Sequence, residues 1–347
     1  MPTIINKEID YLLETTSRSF FLTLQNLPKK IRRQLSLLYL LARIADTIAD
    51  SNEGEKQWLL ENLQNYNSAI KSTTTDFSKL RNLQEISANP SETNLLRNFE
   101  EVVNSISIFD HDDQQKIRSC LDIIISGQIL DLERFGISNQ NGTISSLSRE
   151  SELDDYTYRV AGSVGEFWTS MSLKHLFSIK SSQYEQFFDN GIRFGKALQM
   201  INILRDIPED LRIGRCYIPT ELLDSQNLTT HDLLEPKNMY KFKPIYDKYI
   251  EIAFSHLESA IEYILTIPFF NFRLRASCML PVLIGSRTLN ILKSHNILDY
   301  SNRAKISRTE VDSIISKIKR NVLLPRFSRS MMYYNLDRDK YGQIEPI

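Results

Sequence analysis

The sequence predicts an all-α protein, and three observations carry that expectation. Only 11 Gly and 11 Pro occur in 347 residues, well under the usual roughly 7% and 5%, so long uninterrupted helices are favoured over a turn-rich sheet protein. Apolar residues recur with helical period along most of the chain. The intervening stretches are rich in Ser, Thr, Asn and Asp, which compete with helical backbone bonding.

Taken in order, helical periodicity runs over residues 28–51, 54–71, 92–107, 110–135, 150–178, 182–207, 239–266, 272–296 and 308–323. The first of these contains the strongly apolar run LSLLYLLARIA, and Ser51, Asn52 and Gly54 mark its end. KSTTTDFSKL, SNQNGTISSL and TELLDSQNLTTHD read as loops. Pro208 predicts a kink or an end to the helix over 182–207, because it cannot donate to the carbonyl four residues back and disfavours helical dihedrals at Ile207. No internal repeat or low-complexity segment divides the chain, so residues 1–347 are expected to form a single domain with a basic tail region over 301–347.

Composition bounds the function. The hydrophobic content of 41% is ample for a buried core, and 42 Lys plus Arg against 43 Asp plus Glu leave a net charge of -1. Such a balance supplies no field for holding nucleic acid. Cys120, Cys216 and Cys278 lie too far apart for the usual zinc or disulfide patterns, which suits a reducing, cytoplasmic location. The opening residues MPTIINKEID lack the apolar stretch of a secretory signal, and no run approaches the roughly 18 apolar residues that span a bilayer. A soluble or peripheral protein is expected. From residue 301 the chain carries ten Lys or Arg against five Asp or Glu, with Phe327, Met331, Met332, Tyr333 and Tyr334 interspersed. That mixture fits either an anionic lipid surface or a basic tail packed over the bundle.

Two acidic clusters stand out. Asp46 and Asp50 are four residues apart within LARIADTIAD, a spacing that puts both carboxylates on one helical face, where they repel. A bound Mg²⁺ would remove the penalty, and a solvated helix end would also tolerate it. Asn202, Asp206 and Asp210 follow at i, i+4 and i+8 in INILRDIPED, with Glu209 beside them. Asn and Asp are mediocre helix formers, so their recurrence among Met200, Ile201, Ile203 and Leu204 calls for a polar partner, a cation being the simplest. Two such clusters about 150 residues apart suggest facing walls of one cavity suited to diphosphate chemistry.

Guanidinium groups accompany both clusters. Arg43 precedes Asp46 by three residues, Arg205 adjoins Asp206, and Arg212 and Arg215 follow Asp210. An intrahelical salt bridge accounts for Arg212, whereas Arg43 and Arg205 sit in apolar sequence and suit forked bonding to phosphate or carboxylate oxygens. Ser17, Arg18 and Ser19 fit phosphate binding and helix capping equally well. Gly162 and Gly165 in AGSVG would cost about 1 kcal/mol each in a helix, so either a ligand or a neighbouring helix must approach the backbone there.

SRSF at 17–20, YLLARIADTIAD at 39–50, YTYRVAGSVG at 156–165 and NILRDIPEDLRIGRCYIP at 202–219 together resemble the squalene/phytoene synthase family. The resemblance covers roughly residues 10–290 and implies an antiparallel helix bundle of the class I isoprenoid synthase type around a deep cavity. By that resemblance Asp46, Asp50, Asn202, Asp206 and Asp210 hold Mg²⁺ against prenyl diphosphates. Ser17, Arg18, Ser19, Arg43, Arg205 and Arg215 contact the phosphates, Tyr39 and Tyr156 face the reacting carbons, and Gln199 matches a polar cavity position. Ordinary core packing remains the other reading of the two tyrosines. The implied reaction joins two prenyl diphosphates head to head, and the wording of the motifs is most similar to bacterial squalene synthases, which reduce the intermediate with NADPH. Phytoene, dehydrosqualene or presqualene diphosphate is the alternative product. Ala49 and Pro208 depart from the pattern, and a non-catalytic assembly factor would be expected to lose the aspartates that are present here. Oligomeric state is not written in these motifs.

Overall fold

The computed structural model describes residues 5–17, 20–51, 55–71, 77–80, 83, 87, 89–137 and 142–336. The chain is all-α, and the only strand pairing among the described residues is a two-residue parallel bridge. Two compact units are present. One comprises residues 1–138 and 170–176, the other 139–169 and 177–347.

The first unit holds α1 (Lys7–Ser17), α2 (Phe20–Asn26), α3 (Lys29–Ala49), α4 (Lys56–Lys71), α5 (Pro90–Arg97), α6 (Phe99–Asn104) and α7 (His111–Phe135). Helix α3 is its centre. Ile31, Leu35, Leu38, Leu41, Ile44 and Ile48 are buried along it, and α4, α5, α6 and α7 pack around it. Sequence chemistry sets the ends of its neighbours. Asn89 accepts from the Ser91 amide ahead of Pro90 to start α5, Asp110 accepts from the Asp113 amide to start α7, and Gly136 at φ 70° ends α7. The periodicity over 92–107 and 110–135 is thus realised as separate helices, whereas α1 and α2 carried too short an apolar pattern to be expected.

The second unit contains α8 (Glu150–Thr157), the start of α9 (Ser163–His175), α10 (Tyr184–Arg212), α11 (Thr220–Ser225), α12 (Met239–Thr266), α13 (Phe272–Lys293), α14 (Arg308–Asn321) and α15 (Pro325–Leu336). Between α8 and α9, Tyr158–Gly162 form a π-helical turn, so the helix expected over 150–178 carries an extra residue in one turn. Its glycines resolve the choice left by the sequence in favour of close helix packing. A Cβ on Gly165 would lie 1.9 Å from the Gly191 carbonyl oxygen, and one on Gly195 would lie 2.1 Å from the Ala161 oxygen. Backbone meets backbone at this crossing, which no larger residue permits.

Two expectations are corrected here. Helix α10 runs through Pro208 to Arg212 instead of stopping at Ile207. The Leu204 carbonyl, which the missing proline N–H cannot serve, accepts from the buried Tyr246 hydroxyl of α12 at 3.4 Å. The segment beginning TELLDS is not all loop, since its first six residues form α11 directly after Pro219. Of the two readings left open for the region from 301, the described residues follow the packed one. Helices α14 and α15 pack on α13, and Met331 and Met332 are buried rather than displayed. Among the described residues no helix is long and apolar enough to cross a membrane, and all three cysteines are free and buried.

The glycine crossing makes a prediction about stability. Gly165→Ala and Gly195→Ala should each cost about 2–3 kcal/mol, because only backbone can yield. Gly285→Ala, whose added Cβ would meet the movable Ile201 Cδ1 at 2.8 Å, should cost at most about 1 kcal/mol. Denaturant melts of the three variants distinguish these outcomes, and equal losses would contradict the backbone-contact account.

Candidate active site

In the first unit, α3 carries Tyr39, Arg43, Asp46 and Asp50 along one stripe. Asp50 is the residue that closes the helix, its N–H donating to the Asp46 carbonyl at 2.9 Å while the Ser51 N–H donates to the Ile48 carbonyl at 3.5 Å. The acid pair therefore occupies the last turn, where the helix dipole is negative and disfavours carboxylates. Arg43 partly offsets this. Its Nη1 donates to Asp46 Oδ2 at 2.5 Å and its Nη2 to Glu92 Oε1 of α5 at 2.7 Å. Burial alone would lower the Arg43 guanidinium, but Asp46, Tyr39 and Glu92 outweigh it and leave it raised.

The partial character of that compensation shows at Asp46. Burial, and after it the Asp50 charge, push its carboxyl up from 3.8 to about 7 despite the pull of Arg43. The side chain still keeps 41% of its surface, so a cation or water can reach it. A carboxylate pair crowded in this way, with hard oxygen donors and one accessible side, fits a divalent cation such as Mg²⁺.

Tyr39 ties α3 to α1, its hydroxyl donating to the Thr16 carbonyl at 3.1 Å. Ser17 sits at the end of α1 and its hydroxyl donates back to the Leu13 carbonyl, so it does not cap the following helix. Arg18 and Ser19 lie outside the described residues.

In the second unit, the passage of α10 through Pro208 keeps Asn202, Asp206 and Asp210 on one continuous stripe. Asn202 is exposed, and Gln199, Asp206 and Asp210 are half-buried. Arg205 forks onto its neighbour, Nε donating to Asp206 Oδ1 at 2.8 Å and Nη2 to Oδ2 at 2.6 Å. That bond to Asp206, against the cost of burial, raises the Arg205 guanidinium. Arg212 donates to the Pro208 carbonyl at 2.7 Å and lies 3.7 Å from the Tyr300 ring centroid. Glu209 is taken by Arg303, which removes it from the ligand stripe.

Beyond α10, Gly214 at φ 85° turns the chain, and Arg215–Cys216 pair with Ser145–Ser146. This bridge fixes Arg215 and sets Tyr217 against Tyr156 of α8, the rings stacked at 5.0 Å and the hydroxyls 3.3 Å apart. Tyr156 thus has a definite partner. Sequence reasoning missed Tyr217 and Glu92, although Tyr217 stands within the quoted GRCYIP; Glu92 had no signal, since only the packing of α5 on α3 brings it to Arg43.

A third acidic group was also missed. Asp110, Asp113 and His175 of the first unit place donor atoms within 4.8 Å of one another. Lys174 Nζ, however, is bonded to Asp110 Oδ1 and Asp113 Oδ1 at 2.7 Å each, and Gln34 donates to Asp113 at 2.9 Å. This is an ion-pair knot that anchors the start of α7.

With the geometry in place, comparison with known proteins defines the class. The squalene/phytoene synthase family model matches residues 13–310, and the chain belongs to that family. It is 28% identical over 260 residues to a bifunctional lycopene cyclase/phytoene synthase of Phaeosphaeria nodorum, covering 74% of this chain and 41% of that one. It is 25% identical over 298 residues to a squalene synthase of Saccharomyces cerevisiae, covering 84% and 62%. The chain thus spans less than two thirds of the length of these relatives. Among solved structures, the TcSQS complex with the ligand E5700 superposes with a TM-score of 0.76 at 19% identity, over 98% of this chain and 95% of that one. A ligand complex of a dehydrosqualene synthase gives 0.61 at 20% identity, over 90% and 96%. These likenesses establish the fold.

The raised Asp46 carboxyl sets a pH dependence. A carboxyl raised in the fold from 3.8 to about 7 weakens the folded state fully above pH 7, and progressively less as the pH falls toward 4. Asp46→Asn should therefore raise the melting temperature of the metal-free protein at pH 8, and the gain should vanish near pH 4. A gain largest in acid would contradict the assignment.

Proposed function

We propose that the chain is a magnesium-dependent farnesyl-diphosphate farnesyltransferase that joins two farnesyl diphosphates head to head through presqualene diphosphate and reduces the intermediate to squalene with NADPH. The observation that carries this reading is the pair of aspartate stripes, Asp46/Asp50 and Asn202/Asp206/Asp210, each with an arginine bonded to its first aspartate. In this proposal residues 1–347 serve one prenyl synthase activity.

The roles are assigned from the family resemblance and, for Arg43 and Arg205, from the bonds they make. Asp46, Asp50, Asn202, Asp206 and Asp210 would hold Mg²⁺. When bound it supplies Lewis-acid neutralisation of the departing diphosphate. Arg43 and Arg205, now engaged with carboxylates, are placed to transfer part of their hydrogen bonding to phosphate oxygens as charge grows there. Arg215, fixed by the strand bridge, adds a third guanidinium, and Ser17, Arg18, Ser19 and Gln199 are assigned to substrate contact by family resemblance. Tyr156 and Tyr217 present a stacked aromatic pair suited to a developing carbocation, and Tyr39 is assigned the same neighbourhood in its own unit.

A second reading ends at phytoene, dehydrosqualene or presqualene diphosphate without reduction. It is favoured by the phytoene synthase relative at 28% identity. Product analysis separates the two. Incubated with farnesyl diphosphate, Mg²⁺ and NADPH, the protein is expected to yield squalene, and omission of NADPH should stop the reaction short of it. Geranylgeranyl diphosphate converted to phytoene with no effect of NADPH would establish the second reading instead. No condensed product from either donor would overturn both.

A further inference from the structure

The turn joining α12 to α13 carries a feature that the chemistry above does not use. Phe269, Phe270 and Phe272 are 61%, 63% and 43% exposed, and the first two rings meet edge-on at 5.8 Å. Burying a Phe side chain is worth about 1.5–3 kcal/mol, so three displayed together leave a large gain unclaimed by the fold.

The display is held in place. Arg275, only 2% exposed, donates Nη1 to the carbonyls of Ile264 and Ile267 at 2.8 and 2.9 Å. It caps the end of α12 and pins the base of the turn, while the Asn271 amide closes it onto the Pro268 carbonyl at 2.9 Å. Ile267 and Leu274 on either side are buried. The aromatic side chains therefore stand on a rigid platform.

The turn itself carries one exposed cation and no acid: Arg273 stands beside Phe272, and the preceding exposed acid, Glu262 in the last turns of α12, accepts from the Tyr333 hydroxyl. A symmetric contact between two copies would set Arg273 near Arg273, which is unfavourable. An exposed aromatic turn with Arg273 adjoining it complements an anionic bilayer, where rings enter the headgroup boundary and basic residues meet phosphate.

We propose that the Phe269–Phe272 turn is a membrane-docking tip that inserts its phenylalanines into an anionic lipid bilayer, with Arg273 on the headgroups. This goes beyond the proposed reaction and does not depend on which prenyl product forms. Co-sedimentation of the full chain with phosphatidylcholine vesicles containing about one third phosphatidylglycerol tests it. The wild type should bind, replacement of Phe269, Phe270 and Phe272 by Ser should lower partitioning about tenfold or more, and Arg273→Glu should lower it several-fold on anionic vesicles only. Circular dichroism melts verify that the variants fold. Should the triple variant not fold, Phe270→Trp provides the second arm, with a blue shift of its emission on vesicle addition expected. Several outcomes would overturn the proposal: absence of wild-type binding, unchanged binding by the folded triple variant, no Trp shift, loss of binding only on changing Leu323 and Leu324, or a change confined to self-association by light scattering. Because the readout is lipid binding and not turnover, its failure would leave the proposed reaction untouched, and the converse also holds.

Discussion

Repulsion between carboxylates at the negative ends of helices is the interaction on which the functional reading depends. Asp46 and Asp50 close α3, and Asp206 and Asp210 lie in the last two turns of α10. Both positions oppose the helix dipole, and four-residue spacing adds mutual repulsion. Stability alone would favour Lys or Arg there. In each cluster a guanidinium bonds the first aspartate, Arg43 on Asp46 and Arg205 on Asp206.

Much of this was legible in sequence because helical periodicity translates directly into side-chain direction. The apolar run before Asp46 placed α3 in the core, and i, i+4, i+8 spacing placed Asn202, Asp206 and Asp210 on one stripe. What was illegible depended on partners distant in the chain. Pro208 reads locally as a helix stop, yet the Tyr246 hydroxyl from α12 serves the stranded Leu204 carbonyl and the helix continues. Glu92 resembles any acid in a first helical turn until α5 is packed on α3. The short α1, α2 and α11 have too few turns to show a period, and Tyr217 gained a role only when the strand bridge set it against Tyr156.

The glycines illustrate a limit of a different kind. AGSVG could have made room for a ligand or for a helix, and sequence offers no means to choose. Carbonyl oxygens within about 2 Å of the missing Cβ positions at Gly165 and Gly195 decide it. The neighbouring π-turn at Tyr158–Gly162 lies between the Tyr156 stacking contact and the Gly165 crossing.

The account is tested most directly by release of inorganic diphosphate from farnesyl diphosphate, followed with Mg²⁺ or with a chelator for the wild type, Asp46→Ala and Asp206→Ala. Release should require the divalent ion and should fall by about 10²-fold or more in each variant, since neutralisation of the leaving group is lost. Undiminished release in chelator, or in both variants, would contradict the claim that these carboxylates hold the metal.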